Sequence, residues 1–320
     1  SRIAIIHNGS PLFTGDAGSG PSEIRKYILE NDLLEAIIAL PNDIFYNTGI
    51  ATYIWVLSNK KVGTKREGKV QLINANGLYE KRRKALGNKR NDIPESAITE
   101  ITRLYGDFVE SEISKIFDTT DFGYTKITVE RPLRLNYAVS EDRIRYLEDP
   151  TQIPDFLDDL KGEGEYNPEA FRIAKALRTM NQTKIWYQEK EFCDEVATTL
   201  QRAEIHTTKF LLDYLGSALA KRDEQAPIIY KGGKPQPDTA LRDAENVPLK
   251  EDIQAYFERE VLPFAPDAWI DEKKSKVGYE IPFTRYFYQY EAPKPSTEIM
   301  QEILAIEAEL DGALVEVFGA

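Results

Sequence analysis

A mixed α/β fold is predicted by three features of the sequence. Apolar runs of strand character alternate with one helical pattern over the first sixty residues, apolar spacing turns helical beyond about residue 136, and the clearest periodicity lies in the last thirty residues. A chain of 320 residues with 42% hydrophobic content is long enough for two or three compact units.

Arg2-Ile3-Ala4-Ile5-Ile6 is a short apolar run without alternation, the pattern of a strand buried on both faces of a parallel sheet. Asn8-Gly9-Ser10-Pro11 ends it. After the loop from Thr14 to Pro21, the residues Ile24, Tyr27 and Ile28 recur at helical spacing, with Pro21 well placed for a helix start. Leu33 to Leu40 reads as a second strand stopped by Pro41, and Ala51 to Leu57 as a third, rich in β-branched and aromatic residues. These two are joined by about ten residues, too few for a crossover helix, so they are expected to run antiparallel. A mainly parallel sheet with an antiparallel end follows. Because Arg2 begins inside a strand, the sheet is expected to be the late part of a larger one.

Val70 to Ala75 is another strand pattern. Asp92-Ile93-Pro94-Glu95 has the layout of a capping box with Asp92 as the cap, after which Ile98, Ile101, Tyr105 and Phe108 line one helical face. Phe122 to Val129 reads as a strand entering Glu130-Arg131-Pro132-Leu133-Arg134. Further on, helices are expected from Asn167-Pro168, from Thr207 or Thr208, and from about Pro248 with a face of Ile253, Tyr256, Phe257 and Val261. A hairpin is expected around Lys231-Gly232-Gly233-Lys234. In the last helix Ile299, Ile303, Ile306, Leu310, Ala313 and Val317 are spaced alternately by four and three, which is a heptad seam. Ile303, Ile306 and Leu310 are candidate contacts for a partner helix, with packing inside this chain as the alternative. The expected organisation is a sheet unit over 1–60, a basic segment and helix over 61–135, a mainly helical extension over 136–290 and a terminal coiled-coil-like helix over 291–320.

The net charge of −12 argues against a polyanion partner, but its distribution does not. From Lys60 to Arg90 eleven basic residues stand against Glu67 and Glu80, a local excess of nine. A basic face on an acidic body still steers DNA, and Lys81, Arg82, Arg83, Lys84, Lys89 and Arg90 are the candidate DNA contacts. A solvated surface loop is the alternative. The single Cys193 cannot form an internal disulfide and is expected to be a buried structural thiol; with only His7 and His206 beside it, no metal site is expected. No stretch approaches the ~18 apolar residues of a membrane span, so a cytoplasmic protein with no membrane partner is expected. Gly15-Asp16-Ala17-Gly18-Ser19-Gly20 lacks both the Lys-Ser/Thr ending of a P-loop and the dinucleotide spacing, and reads as a mobile or DNA-facing loop.

Longer motifs are more specific. Asn8 to Gly20 with Ile24-Arg25, Leu34 to Pro41, Phe45-Tyr46-Asn47-Thr48-Gly49-Ile50-Ala51-Thr52, Leu86 to Arg90, Ile101 to Gly106 and Ile127 to Arg134 together resemble the methylation subunit of type I restriction-modification systems. Asp238-Thr239, Asn246 to Leu249 and Gly278 to Arg285 extend the resemblance along nearly the whole chain.

The resemblance implies the last strands of a Rossmann-like methyltransferase sheet followed by a largely helical carboxy-terminal extension. It implies an adenine-N6 DNA methyltransferase as the parent protein, using S-adenosylmethionine. In that family the cofactor's Gly-rich motif and the Asn-Pro-Pro-aromatic motif lie upstream of the segment matching Arg2. No catalytic or cofactor-binding residue is therefore expected here, and this chain alone is not expected to bind S-adenosylmethionine. By the same resemblance the aromatic motif that holds an extrahelical base falls at Phe45 and Tyr46, with burial of both rings in the core as the alternative. The implied partners are DNA, the specificity and restriction subunits and a second copy of the modification subunit. A non-catalytic DNA-binding or subunit-assembly module is the competing reading.

Overall fold

The computed structural model describes residues 1–149, 168–290 and 292–318, and the chain divides into two compact units, 1–123 with 278–320, and 124–277. Asn167, expected at a helix start, lies outside the described residues, as do the side chains of Ala313 and Val317.

The first unit is built on a five-stranded sheet. Its elements begin β1 (Arg2–Asn8), α1 (Ser10–Phe13), α2 (Gly20–Glu30), β2 (Leu34–Ala39), β3 (Thr52–Ser58) and β4 (Lys69–Asn74). They continue with β5 (Glu80–Leu86), β6 (Lys89–Asp92), α3 (Glu95–Asp107) and β7 (Ser114–Asp118). The sheet order is β1-β3-β2-β4-β7. The β2–β3 pair is antiparallel, as its short connection requires, with Ile37 opposite Trp55. The mainly parallel sheet is corrected: only β2 and β4 run parallel, and the β1–β3 and β4–β7 pairs are antiparallel as well. Connection length set the direction of one pair, but residue type carries no direction for the rest. Ala36, Ile38, Val56, Ile73 and Leu104 form the core beneath the sheet.

Further expectations change. Burial of β1 on both faces is corrected, because among the described residues β1 has β3 as its one neighbour and it is exposed along its length. In α2 the expected face is not the covered one: Ile24 and Tyr27 are exposed and Ile28 is half-buried, while Ser22, Arg25 and Leu29 are buried. The Arg25 guanidinium donates to the carbonyls of Pro11, Thr14, Gly15 and Tyr279, so its burial leaves its charge well hydrogen-bonded. Those bonds anchor the glycine loop read as mobile. Asp92 does not cap α3; Pro94 occupies the cap and Asp92 is drawn into β6 to pair with Lys89 and Arg82. The buried face of α3 is Ala97 and Leu104, with Ile101 and Tyr105 partly covered, rather than a stripe through Ile98.

In the second unit β8 (Gly123–Glu130) is followed by β9 (Leu135–Tyr137), α4 (Glu141–Leu147), α5 (Pro168–Leu177), α6 (Glu189–Arg202) and α7 (Lys209–Ala218). Helices give way to β10 (Ala220–Arg222), β11 (Tyr230–Lys231), β12 (Lys234–Pro235) and β13 (Asp243–Pro248), then α8 (Ile253–Glu260) and β14 (Trp269–Ile270). Thr208 caps α7 by accepting from the Leu211 amide, and Gly232 and Gly233, both at positive φ, turn the β11–β12 hairpin. Tyr137, Trp186, Phe192, Val196 and Leu215 share one core; Ile127, Val247 and Phe257 share another, between α8 and the sheet of β13, β8 and β14. Cys193 is half-buried, its thiol pushed up to about 11 by burial and by the neighbouring Glu189 carboxylate. The chain then returns to the first unit through β15 (Lys276–Tyr279), α9 (Phe283–Phe287) and α10 (Ser296–Phe318).

Candidate nucleic-acid interface

Part of the basic excess between Lys60 and Arg90 is committed within the fold. Lys61 is only 1% exposed and donates to Asp32 and to the carbonyls of Leu34 and Lys69. Arg66 is buried between the rings of Tyr105 and Phe108, and Lys69 pairs with Asp118. What remains is concentrated in the β5–β6 hairpin, where the sequence had only indicated a basic run.

The hairpin turns at Gly87-Asn88, with Leu86 opposite Lys89 and Gly87 at φ +61°. A two-residue connection led by a glycine at positive φ matches the twist of the flanking strands. Lys81, Arg82, Arg83, Lys84 and Arg90 are exposed, and Lys89 is half-buried. Asp92 neutralises part of this charge, with Lys89 Nζ at 2.9 Å and Arg82 Nη1 at 2.5 Å. The hydrogen bond from Lys89, then the charge of Arg82, hold the Asp92 carboxyl below its ordinary pKa. Among the described residues Lys81, Arg83, Lys84 and Arg90 make no ion pair.

The second component is the loop 41–50 between β2 and β3. Pro41 closes β2, Asp43 takes up a positive φ of 58°, and Phe45 bridges to Thr48 across a tight reversal. Phe45 is half-buried, whereas Tyr46 is 64% exposed. The hairpin turn lies against this loop. The Asn88 amide donates to the Tyr46 carbonyl at 2.8 Å, and the Arg90 and Asn91 amides both donate to the Asp43 carbonyl, at 2.9 and 3.1 Å. Buried Asn91 adds a side-chain bond to the Asn42 carbonyl at 2.9 Å. A Cβ on Gly87 would sit 2.6 Å from the Tyr46 carbonyl oxygen and 3.0 Å from its ring. Between hairpin and loop opens a cavity of about 510 Å³ lined by Asp43, Tyr79, Lys81, Arg82, Ala85, Arg90 and Asn91.

The remaining candidates lie elsewhere in the unit. Ile303, Ile306 and Leu310 are exposed on α10. The groove of about 460 Å³ beside β1 and α2 is walled by Ile5, Pro11, Ile24, Trp55 and Leu57, with His7, Asn8, Ser10, Thr14 and Arg25 at its polar positions. It presents no carboxylate for ribose hydroxyls, and Arg25 is already engaged by carbonyls, so this lining does not fit S-adenosylmethionine. Among the described residues there is no cluster suited to a metal ion and no helix long and apolar enough to cross a membrane. Sequence reasoning missed the buried Glu35, which accepts from Tyr105 and Arg2, and it missed Asn91. Neither carries a local signal. Gly87-Asn88 did carry one, a hairpin dipeptide between two polar runs.

Residues 1–129 match the model of the N-6 DNA methylase family. The type I restriction enzyme MjaIX methylase subunit of Methanocaldococcus jannaschii is 30% identical over 128 residues, 40% of this chain and 22% of that protein. The HindI methylase subunit of Haemophilus influenzae is 35% identical over 118 residues, 37% of this chain and 21% of that protein. The chain thus spans about a fifth of the length of the curated relatives it matches. Among solved structures, the type I methyltransferase subunit from Streptococcus thermophilus is similar over 38% of this chain and 24% of its own, at 24% identity and a TM-score of 0.32.

Proposed function

Because residues 1–129 match the model of the N-6 DNA methylase family, we propose that the chain is the carboxy-terminal part of the adenine-N6 modification subunit of a type I restriction-modification system. The observation that carries this reading is that the matched segment contains both the aromatic loop and the exposed basic hairpin. In the whole protein the five-stranded sheet is the late part of a Rossmann-like sheet, and S-adenosylmethionine supplies the methyl group. This chain contributes no step to that transfer; it contributes grip and position. Lys81, Arg82, Arg83, Lys84, Lys89 and Arg90 contact phosphates, and Tyr46 or Phe45 offers a face to a base drawn out of the duplex, since an aromatic plane replaces the stacking that the base loses. Residues 1–60 supply the first three strands of the sheet, 61–135 its last two strands and the DNA-facing hairpin, 136–290 the extension and 291–320 the helix that meets a partner. That partner is the specificity subunit, in an assembly that also holds the restriction subunit and a second modification subunit.

The exposed seam of α10 favours a second reading, in which the carboxy-terminal part serves subunit assembly without taking part in turnover. Both are tested by one experiment. The longer protein, mixed with its specificity subunit and labelled S-adenosylmethionine, should place label on adenine N6 of duplex DNA. Replacing Tyr46 by Ala should lower that rate, and deleting 296–320 should abolish it only where the specificity subunit is needed. No labelled adenine with the intact protein would sink the first reading.

A further inference from the structure

We propose that the β5–β6 hairpin is the positioning element of the aromatic loop: a nucleic-acid phosphate seated in the cavity lined by Lys81, Arg82 and Arg90 is held at a fixed offset from the Tyr46 ring. This deepens the proposed function and rests on it for the identity of the ligand. The mechanical part stands on geometry. Loops between strands are normally the softest parts of a sheet, because their backbone groups bond to water rather than to the fold. Here three backbone amides of the hairpin and the Asn91 side chain are spent on the carbonyls of Asn42, Asp43 and Tyr46. The loop is therefore fastened to the hairpin and moves with it.

Gly87 is what permits the approach. Its backbone is left-handed and a side chain there would strike the Tyr46 carbonyl, so a residue other than glycine must push the loop away or refold the turn. The cavity beside this junction carries Lys81, Arg82 and Arg90 at its rim, with Tyr79 and one carboxylate, Asp43, whose carbonyl takes part in the clamp. Cationic side chains around a cavity wide enough for a phosphate suit a backbone phosphate group. Lys81 and Arg90 have no carboxylate partner among the described residues, so their charge is available to it. Binding there fixes the hairpin, and the hairpin fixes the ring.

Amide hydrogen exchange on the free chain tests the clamp without any ligand. Gly87→Ala should raise exchange at the amides of Asn88, Arg90 and Asn91, which donate to the loop, by at least tenfold, whereas Gly77→Ala, where a Cβ would meet nothing, should leave them unchanged. Unaltered exchange at Asn88, Arg90 and Asn91 in Gly87→Ala would overturn the inference. The coupling is then read with a duplex of about 20 base pairs bearing one unpaired 2-aminopurine. In Gly87→Ala the duplex should bind within twofold of the parent while the 2-aminopurine quenching is lost; in Lys81→Gln/Arg90→Gln both should fall. If Tyr46→Ala abolishes quenching and Gly87→Ala retains it, the ring stacks but the hairpin does not position it, and the inference fails. If Tyr46→Ala leaves quenching intact, the base-stacking reading has failed instead, and the exchange measurement still decides the clamp.

Discussion

The hydroxyl of Tyr105, on α3, donates to the buried carboxylate of Glu35, on β2, although the two residues lie seventy positions apart. Arg2 donates to the same carboxylate at 3.0 Å, and Arg66 lies 4.4 Å from the centre of the Tyr105 ring. Burial alone would raise the Glu35 pKa, but the hydrogen bonds from Tyr105 and Arg2 outweigh it and hold the group below the ordinary carboxylate range. Tyr105→Phe should therefore cost about 1–3 kcal/mol by leaving a buried acceptor short of a donor. The denaturant midpoint reports this, and a midpoint unchanged from the parent would show that the hydroxyl is replaced by water. Because the folded pKa of Glu35 is depressed, its contribution is present above the unfolded pKa and is lost as pH falls through the folded value.

The opposite limb of the pH profile belongs to four tyrosines. Burial foremost pushes Tyr105, Tyr137, Tyr214 and Tyr279 up to about 12. The folded chain keeps these protons where an unfolded tyrosine, with pKa ~10, has begun to lose them. Stability should accordingly decline as pH rises from about 10 toward 12, and absorbance at 295 nm should show an abrupt extra ionisation on alkaline unfolding. A smooth single titration of all tyrosines near 10 would contradict this.

Cys193 should be nearly inert. A thiol held at about 11 is far less ionised at pH 8 than an ordinary one, so alkylation by iodoacetamide should be roughly a hundredfold slower than for a free cysteine. Denaturant should restore the ordinary rate. Fast labelling of the native chain would place the thiol in a more open setting than its half-buried one on α6.

For DNA contact, the triple variant Lys81→Gln, Arg83→Gln and Lys84→Gln should flatten the plot of log affinity against log salt. Each lost phosphate contact lowers the slope by roughly 0.9. Arg82 should matter less, being paired with Asp92 already. An unchanged slope would mean that these side chains only solvate the hairpin.

Ile306→Asp with Leu310→Asp should leave the thermal midpoint of the isolated chain nearly unchanged, since both side chains are exposed. Co-purification with the specificity subunit should be lost, because a buried helix seam tolerates two unpaired carboxylates poorly. Unfolding of the double variant would instead assign the seam to this chain's own core.

The parts of the fold that could be read from sequence are those fixed by short-range constraints. The strands β2, β3 and β4 declare themselves through β-branched runs, the connection length dictates the antiparallel β2–β3 pair, and Thr208 and Gly232-Gly233 do locally what their types do elsewhere. Strand β1 and helix α2 misled because apolarity states that a surface tends to be covered, not by what. Arg25 shows the converse: its carbonyl partners reach from Pro11 to Tyr279, and no window of sequence contains them. The site divides in the same way. Tyr46 and Lys81 to Lys84 are each conspicuous in the sequence, but their proximity depends on amides of 88–91 finding carbonyls of 42–46, a register that residue types do not encode.

The uncovered edge of β1 also bears on how the chain behaves in a tube. A strand whose outer row of amides and carbonyls has no partner among the described residues, and whose Ile3, Ile5 and Ile6 are exposed, is a ready template for another strand. Net charge of −12 keeps molecules apart at low ionic strength, but added salt screens that repulsion while leaving the edge as adhesive as before. Concentrated stocks should therefore scatter more light as salt is raised, a trend opposite to that of proteins whose self-association is driven by charge, and a lysine placed at Ile5 should keep them clear.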